Sequence, residues 1–279
     1  MNAQSWVDLR QDADTGIEVI RAHFVGHAYD PHWHDSYLIG FTEQGVQQFH
    51  CRRALFSSVP GQTFFLEPGD IHDGHAPTPG GFTYSTLYLQ PAWLQRALPA
   101  LFEEAPGDCL PGVPRTQPED PDLLPYIAGV LHALRDDEPR MVRDAALDAL
   151  LERISRSLSW RQRAQSNAQI PAVALRAREY LHAHFHENIG LDDLSGVCGV
   201  DRFRLTRAFK TAFGMAPHGY LIHLRLAHAR RMLALGSAPA DVASDLGFAD
   251  QSHLGRWFRR ANGFTPGAYR SLRTKLQDR

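Results

Sequence analysis

The sequence predicts an α+β chain of two domains: an N-terminal β-barrel with two helices after it, then an all-α domain carrying two helix-turn-helix units joined by a long helix. Three observations predict this. Short β-rich runs recur at roughly ten-residue spacing between Ile17 and Gln90, the pattern of an all-β sandwich or barrel. Apolar residues then recur at helical spacing through the rest of the chain. Finally, the C-terminal part matches itself at an offset of 49 residues, and such self-similarity marks a duplicated folding unit.

The β-rich runs are EVIRAHF, SYLIGFT, VQQFHC, TFFLE and FTYSTLYLQ, separated by turn residues at Asp30-Pro31, Gly45, Pro60-Gly61, Pro68-Gly69-Asp70 and Pro77 to Gly81. Pro99 to Pro121 is rich in Pro, Gly and Asp and reads as loop. Two helices come next, one with Leu123, Leu124, Ile127, Val130, Leu131 and Leu134 on a stripe, the other with Val142, Ala146, Ala149, Leu150, Ile154 and Leu158. Either stripe can bury against the barrel or against a second chain. The expected boundaries are residues 1–120 for the barrel, 121–160 for the helices, 161–171 for a polar linker and 172–279 for the C-terminal domain.

The two copies read L-x-R-x-F-[KR]-x-A-x-G-x-x-P-x-x-Y, from Leu205 to Tyr220 and from Leu254 to Tyr269. In the first, Leu191, Leu194 and Val197 are expected on one face of a short helix, with Cys198 also packed. Gly199 supplies a left-handed turn, and Asp201 caps a second helix to about Phe213. Leu205, Ala208 and Phe209 form its inner stripe, leaving Arg202, Phe203, Thr206 and Arg207 outward and Lys210 a turn further on. In the second copy Pro239 opens the first helix, with Val242, Ala243 and Leu246 inside. Gly247-Phe248 turns the chain in one residue more than the first copy uses, and Asp250 caps. Leu254, Trp257 and Phe258 are expected inward; Gln251, Ser252, His253 and Arg256 outward, with Arg259 and Arg260 beyond. Gly255 within this helix should cost ~1 kcal/mol against Ala, a sign of close approach to a ligand or of mere tolerance.

Arginine binds guanine bidentately, Thr meets bases or the thymine methyl, and lysine suits phosphate. The segment between the copies, PHGYLIHLRLAHARRMLALG, reads as one helix with Tyr220, Leu224, Ala227, Arg231 and Leu235 at helical spacing. Such a stiff connector would place two reading helices in successive major grooves, ~34 Å apart. Charge agrees with that partner. Residues 171–279 hold 16 Lys/Arg against 9 Asp/Glu, while residues 1–170 hold 13 against 22, so the C-terminal part is the half suited to double-stranded DNA.

GFADQSHLGRWFRRANGFTPGAYR resembles the C-terminal motif of the AraC/XylS regulators, and DRFRLTRAFKTAFGMAPHGYL is similar to that family's first reading helix with the start of the connecting helix. The resemblance spans about residues 172–274. It implies a seven-helix DNA-binding domain, usually with a separate domain for effector sensing or dimerisation, and most often transcriptional activation. It makes a small-molecule effector, a second copy of the chain and RNA polymerase the expected partners beside DNA.

In the N-terminal half, Gly26, His32-Trp33-His34 and Gly45 resemble the first cupin motif, and Pro68 to His72 resembles the turn and histidine of the second. Leu38 stands where metal-binding cupins carry glutamate. His32, His34 and His72 are thus candidates for a zinc-type set with an open position, or for contacts to an organic effector. Without the glutamate the expectation is an effector and no resident cofactor, with Trp33, Tyr37, Phe41 and Tyr29 as apolar walls or simply as core. A helix would align His182 with His186, while His184 faces elsewhere, and a solvated surface is the simpler reading of that trio.

No apolar run reaches the ~18 residues of a membrane-spanning helix. The start, MNAQSWVDLRQDADTG, lacks a basic-then-apolar targeting pattern. Cys51, Cys109 and Cys198 lie far apart without a CxxC pair, as expected in a reducing, cytoplasmic setting. No nucleophile–base constellation and no phosphate-binding glycine loop occurs in the sequence, so enzyme activity is not expected.

Overall fold

The computed structural model describes residues 4–101, 109–156, 159–162 and 170–277. It divides into two compact units at Arg163/Ala164, and each is described by itself.

The first unit contains strands β1 (Trp6–Gln11), β2 (Glu18–Phe24), β3 (His27–His32), β4 (Tyr37–Gly45), β5 (Gln47–Cys51), β6 (Ala54–Ser58), β7 (Thr63–Leu66), β8 (His72–His75) and β9 (Phe82–Leu89). They form a five-stranded sheet in the order β1-β2-β9-β4-β7 and a four-stranded sheet in the order β3-β8-β5-β6. The sheets face each other through aromatic side chains, among them Phe24 against Tyr29 at 5.8 Å between ring centroids and Phe49 against Phe64 at 6.1 Å. The expected barrel is therefore built as two apposed sheets.

The five-stranded sheet is buried on both faces, as the burial of all eight β9 residues shows. Side chains alternate across a strand, so Phe82, Tyr84 and Tyr88 meet the second sheet while Leu87 and Leu89 turn the other way. There they join Ile17, Val19, Tyr37, Ile39 and Phe65 in a core with helices α1 (Pro91–Leu101), α2 (Leu123–Arg135) and α3 (Arg140–Ser155). Leu123, Ile127, Val130, Leu131 and Leu134 of α2 and Leu147, Leu150, Leu151 and Ile154 of α3 are buried in it. The α2 and α3 stripes thus pack on the chain's own sheet. Val142, expected in the α3 stripe, is instead exposed with Met141 at the start of the helix, because Leu147 and Leu151 take the buried positions; Leu158 lies outside the described residues.

Two expectations for Pro99 to Pro121 change. Pro99 sits within α1, and Cys109–Gly112 forms β10, paired antiparallel with β11 (Ser159–Gln162). A two-stranded ribbon has only edge strands, where the missing N–H of Pro111 is tolerated. Arg161 and Gln162, placed in the linker by sequence, belong to β11; residues 163–169 lie outside the described residues.

The second unit is helical: α4 (Ala172–His184), α5 (Leu191–Cys198), α6 (Arg202–Phe213), α7 (Pro217–Ala234), α8 (Pro239–Asp245), α9 (Gln251–Asn262) and α10 (Pro266–Gln277). The first helix-turn-helix, α5–α6, buries Leu194, Cys198, Leu205 and Phe209 with Ala177 and Leu181 of α4 and Leu221 of α7. Leu191 and Val197, expected inside, are more than a third exposed; the eight-residue helix buries the stripe Leu194–Cys198. The second, α8–α9, buries Val242, Ala243, Leu246, Leu254, Phe258 and Ala261. Every residue from Leu221 to Leu226 of α7 is buried. A single amphipathic stripe was expected there, yet a helix with neighbours on all sides is covered all round. Leu235, expected in that stripe, is the exposed residue just past the helix end. Among the described residues no helix is long and apolar enough to cross a membrane.

Candidate nucleic-acid interface and histidine cluster

The reading helices α6 and α9 are both twelve residues long and start 49 residues apart. The same local chemistry bounds each. Asp201 accepts from the backbone N–H of Phe203 and Arg204 at 3.0 and 2.9 Å, and Asp250 accepts from that of His253 at 2.6 Å. These bonds satisfy donors left over at a helix start, and the Arg204 N–H above all holds the Asp201 carboxyl below the usual carboxylate range. At the other ends Gly214 and Gly263 adopt left-handed φ of 75° and 80°, and each N–H closes on a carbonyl four residues back at 2.8 Å.

On α6, Arg202, Phe203, Arg207 and Lys210 are exposed and Thr206 is half-buried. Phe203 is 81% exposed, an unusual state for so apolar a ring and one that suits contact with a partner. Arg202 reaches back to Asp192 at 3.2 Å, a solvent-exposed pair that contributes little and exchanges readily. Thr206 lines a cleft of about 350 Å³ with Leu191, Leu194 and His218. On α9, Gln251, Ser252, Arg256, Arg259 and Arg260 are exposed.

His253 and Trp257 depart from expectation. Trp257, expected inward, is half-buried, and its indole N–H donates to His253 Nε2 at 2.9 Å. An indole only donates, so Nε2 accepts this bond, while Nδ1 faces the backbone N–H of Ala249 at 3.3 Å. The imidazole also meets the Phe248 ring edge-on at 5.6 Å. His253 therefore braces the second turn. At Gly255 an added Cβ would meet nothing within 4 Å, so internal packing does not demand glycine. Gly255→Ala is expected to raise stability by ~1 kcal/mol through helix propensity, measurable by thermal unfolding. A simultaneous loss of DNA affinity would identify this face as the point of closest approach.

Sequence reading passed over Arg225. It lies midway along α7, is 6% exposed, and donates to Phe185 O, Glu187 O and Gly247 O, each at 2.7 Å. Phe185 and Glu187 lie between α4 and α5, and Gly247 forms the turn of the second helix-turn-helix. One guanidinium thus ties the two reading units together across their shared helix. Its one outward signal was a lone cation inside the apolar run LIHLRLAH.

In the first unit, His32 and His72 stand opposite each other in the β3–β8 register, and His34 comes just past the end of β3. All three are buried. Ring centroids lie 4.4 Å apart for His32–His72, 4.6 Å for His32–His34 and 5.3 Å for His34–His72. Burial lowers the His72 pKa and favours its neutral form. Tyr29 meets His32 and His72 edge-on at 5.0 and 6.1 Å, and Tyr88 meets His34 at 5.1 Å. The structure does not bring Tyr37 to this cluster. It points to the opposite face of the sheet, where its hydroxyl donates to Pro111 O at 2.7 Å, and Phe41 packs on that face too. Cys51, paired in register with His72, has its thiol pushed up to about 12 by burial. Elsewhere, His182 meets the Tyr220 hydroxyl at 3.0 Å, and His184 and His186 both turn to Glu187, so the trio does not converge.

A duplicated, basic helix-turn-helix unit beside a separate sheet domain defines a DNA-binding regulator with its own sensing domain. The chain belongs to the AraC family: the AraC-like ligand binding domain matches residues 14–175 and a helix-turn-helix domain matches residues 194–271. It is similar to the uncharacterized HTH-type transcriptional regulator YbfI of Bacillus subtilis, at 28% identity over 88% of each chain. The probable transcriptional regulator LumQ of Photobacterium leiognathi is 32% identical over 32% of this chain and 37% of its own length. The fold matches that of ToxT from Vibrio cholerae, with a TM-score of 0.58 at 10% identity over 94% of this chain and 98% of an unsaturated fatty acid-bound form. The protein is a DNA-binding transcription regulator with a ligand-binding domain.

Proposed function

We propose that α6 and α9 enter successive major grooves of one operator. Arg202, Phe203, Thr206 and Arg207 read bases from the first helix and Gln251, Ser252 and Arg256 from the second. Lys210 and Arg259 bind phosphates, and His253 supports the second helix from behind. The observation that carries this reading is the pair of helices of equal length, each opened by a capping Asp and closed by a left-handed Gly, whose exposed arginines, Arg207 and Arg256, occupy the same place in the repeat. Selection of bound sequences from a random duplex pool tests it. Two half-sites about one helical turn apart are expected. Arg207→Ala or Arg256→Ala should then cost ~1–3 kcal/mol of binding and relax preference at one base pair, whereas Lys210→Ala should weaken all sequences alike. Uniform weakening by the arginine variants would move them to phosphate contacts.

The effector reading shifts from the space between the sheets, which Phe24, Tyr29, Phe49, Phe64, Phe82 and Tyr84 fill, to the helix-covered face. A cleft of about 350 Å³ there is walled by Phe65, Val113, Leu123 and Ile154, with Arg115 at its lining. Its size and mostly apolar walls suit a small organic molecule, and Arg115, now paired with Glu119 at 2.8 Å, offers a charge for an acid. That a ToxT structure is of a fatty acid-bound form supports a small-molecule site in this fold. Occupancy of the cleft changes DNA engagement, and the chain performs no chemistry on its ligand. Homodimerisation uses the exposed Tyr126, Met141 and Val142, since the apolar stripes beneath them are already covered; RNA polymerase is the partner of the DNA-bound form.

A further inference from the structure

We propose that His32, His34 and His72 bind one divalent transition-metal ion of the zinc type, through three neutral imidazoles and with the fourth coordination position open. Each offers a ligand nitrogen, and these atoms lie within 4.8 Å of one another. Two of the three, His32 and His72, already have the protonation pattern of metal ligands. His32 Nδ1 lies 2.8 Å from Asp30 O, and His72 Nδ1 lies 3.0 Å from Asp70 O. A carbonyl only accepts, so both Nδ1 atoms carry the proton and both Nε2 atoms present lone pairs to the cluster. Metal-binding histidines are oriented by this outer contact of the second ring nitrogen.

His34 completes the set. Its Nε2 lies 2.9 Å from His32 Nε2, and since that atom bears a lone pair, His34 must donate. An ion replaces this shared proton: His34 passes to the Nδ1–H tautomer, and the two nitrogens part to about 3.3 Å, the separation for bonds of about 2.0–2.1 Å at tetrahedral angles. No carboxylate belongs to the cluster, so oxygen-seeking Ca²⁺ and Mg²⁺ are disfavoured and imidazole-seeking zinc, cobalt, nickel or copper favoured. Leu38 is buried beside Tyr88 in the β4–β9 register and supplies no fourth ligand, leaving that position to water or an oxygen-bearing molecule. The site lies on the opposite face of the five-stranded sheet from the cleft assigned to the effector, and it stands whether or not that assignment does.

The test is titration of the untagged full-length chain with Zn²⁺, and with Co²⁺ as a spectroscopic probe. One equivalent per chain is expected, with the visible absorption of four-coordinate Co²⁺ displaced by Zn²⁺. His72→Ala should weaken Zn²⁺ binding by at least 10- to 100-fold, the loss typical of even an outer-shell partner. His50→Ala, which removes an exposed imidazole paired with Asp73, should leave binding unchanged. Should His72→Ala fail to fold, His34→Gln, outside the strand register, takes its place. Wild-type chain that binds no Co²⁺ stoichiometrically, or uptake equal in the cluster variants and wild type, overturns the proposal while leaving the effector cleft and the DNA reading intact.

Discussion

Arg225→Met is expected to destabilise the helical unit by about 3 kcal/mol or more. Each hydrogen bond from a charged donor contributes roughly 1.5–3 kcal/mol, and three carbonyls would be left facing an apolar side chain. Burial already lowers the Arg225 pKa, as it must for a cation withdrawn from water; the three 2.7 Å bonds offset that penalty. Thermal unfolding should show the loss as roughly 4 °C or more per kcal/mol. The functional consequence is more specific. The guanidinium fixes one reading unit against the other, so the variant should keep affinity for a single half-site while losing its preference for one spacing between two. Arg225→Lys should recover little, because a point-charge ammonium cannot span three acceptors held by a planar fork. Full stability together with unchanged spacing preference would remove Arg225 from this role.

Gly247→Val should be about as damaging, for two separable reasons. Gly247 has φ of +70°, where a β-branched residue is a true outlier and strain runs to about 1–3 kcal/mol. In addition, an added Cβ would stand 2.6 Å from His186 O and 2.9 Å from Arg225 Nη2, distances that force something to move. The displaced group is the same guanidinium, so the two substitutions act on one structure. Arg225→Met/Gly247→Val should therefore destabilise by clearly less than the sum of the single effects. Additivity within about 0.5 kcal/mol would show that the turn and the guanidinium are energetically independent. Gly199 offers the contrast: its φ is +65° but no atom lies within 4 Å of an added Cβ, so valine there should cause strain alone.

Whatever depends on neighbours along the chain was legible in the sequence. The strand runs, the capping aspartates, the left-handed glycines and the duplicated helices arise from local dihedral preference and from apolar spacing, and the repeat states each helix twice. The outward set on α6 could be read for the same reason: with Leu205 and Phe209 inside, Arg202, Phe203 and Arg207 have to face out. Which buried face a residue joins emerged only in three dimensions. Tyr37 and Tyr88 both lie on buried strands of one sheet, yet a one-residue step in alternation sends one to the helices and the other to the histidines. Folding also made Arg225 a tie between units and His253 a brace. The partners of Arg225 lie 22 to 40 residues away, a distance that neither period nor propensity carries; those of His253 are within five residues, but whether its ring turns to them or to solvent is decided by packing.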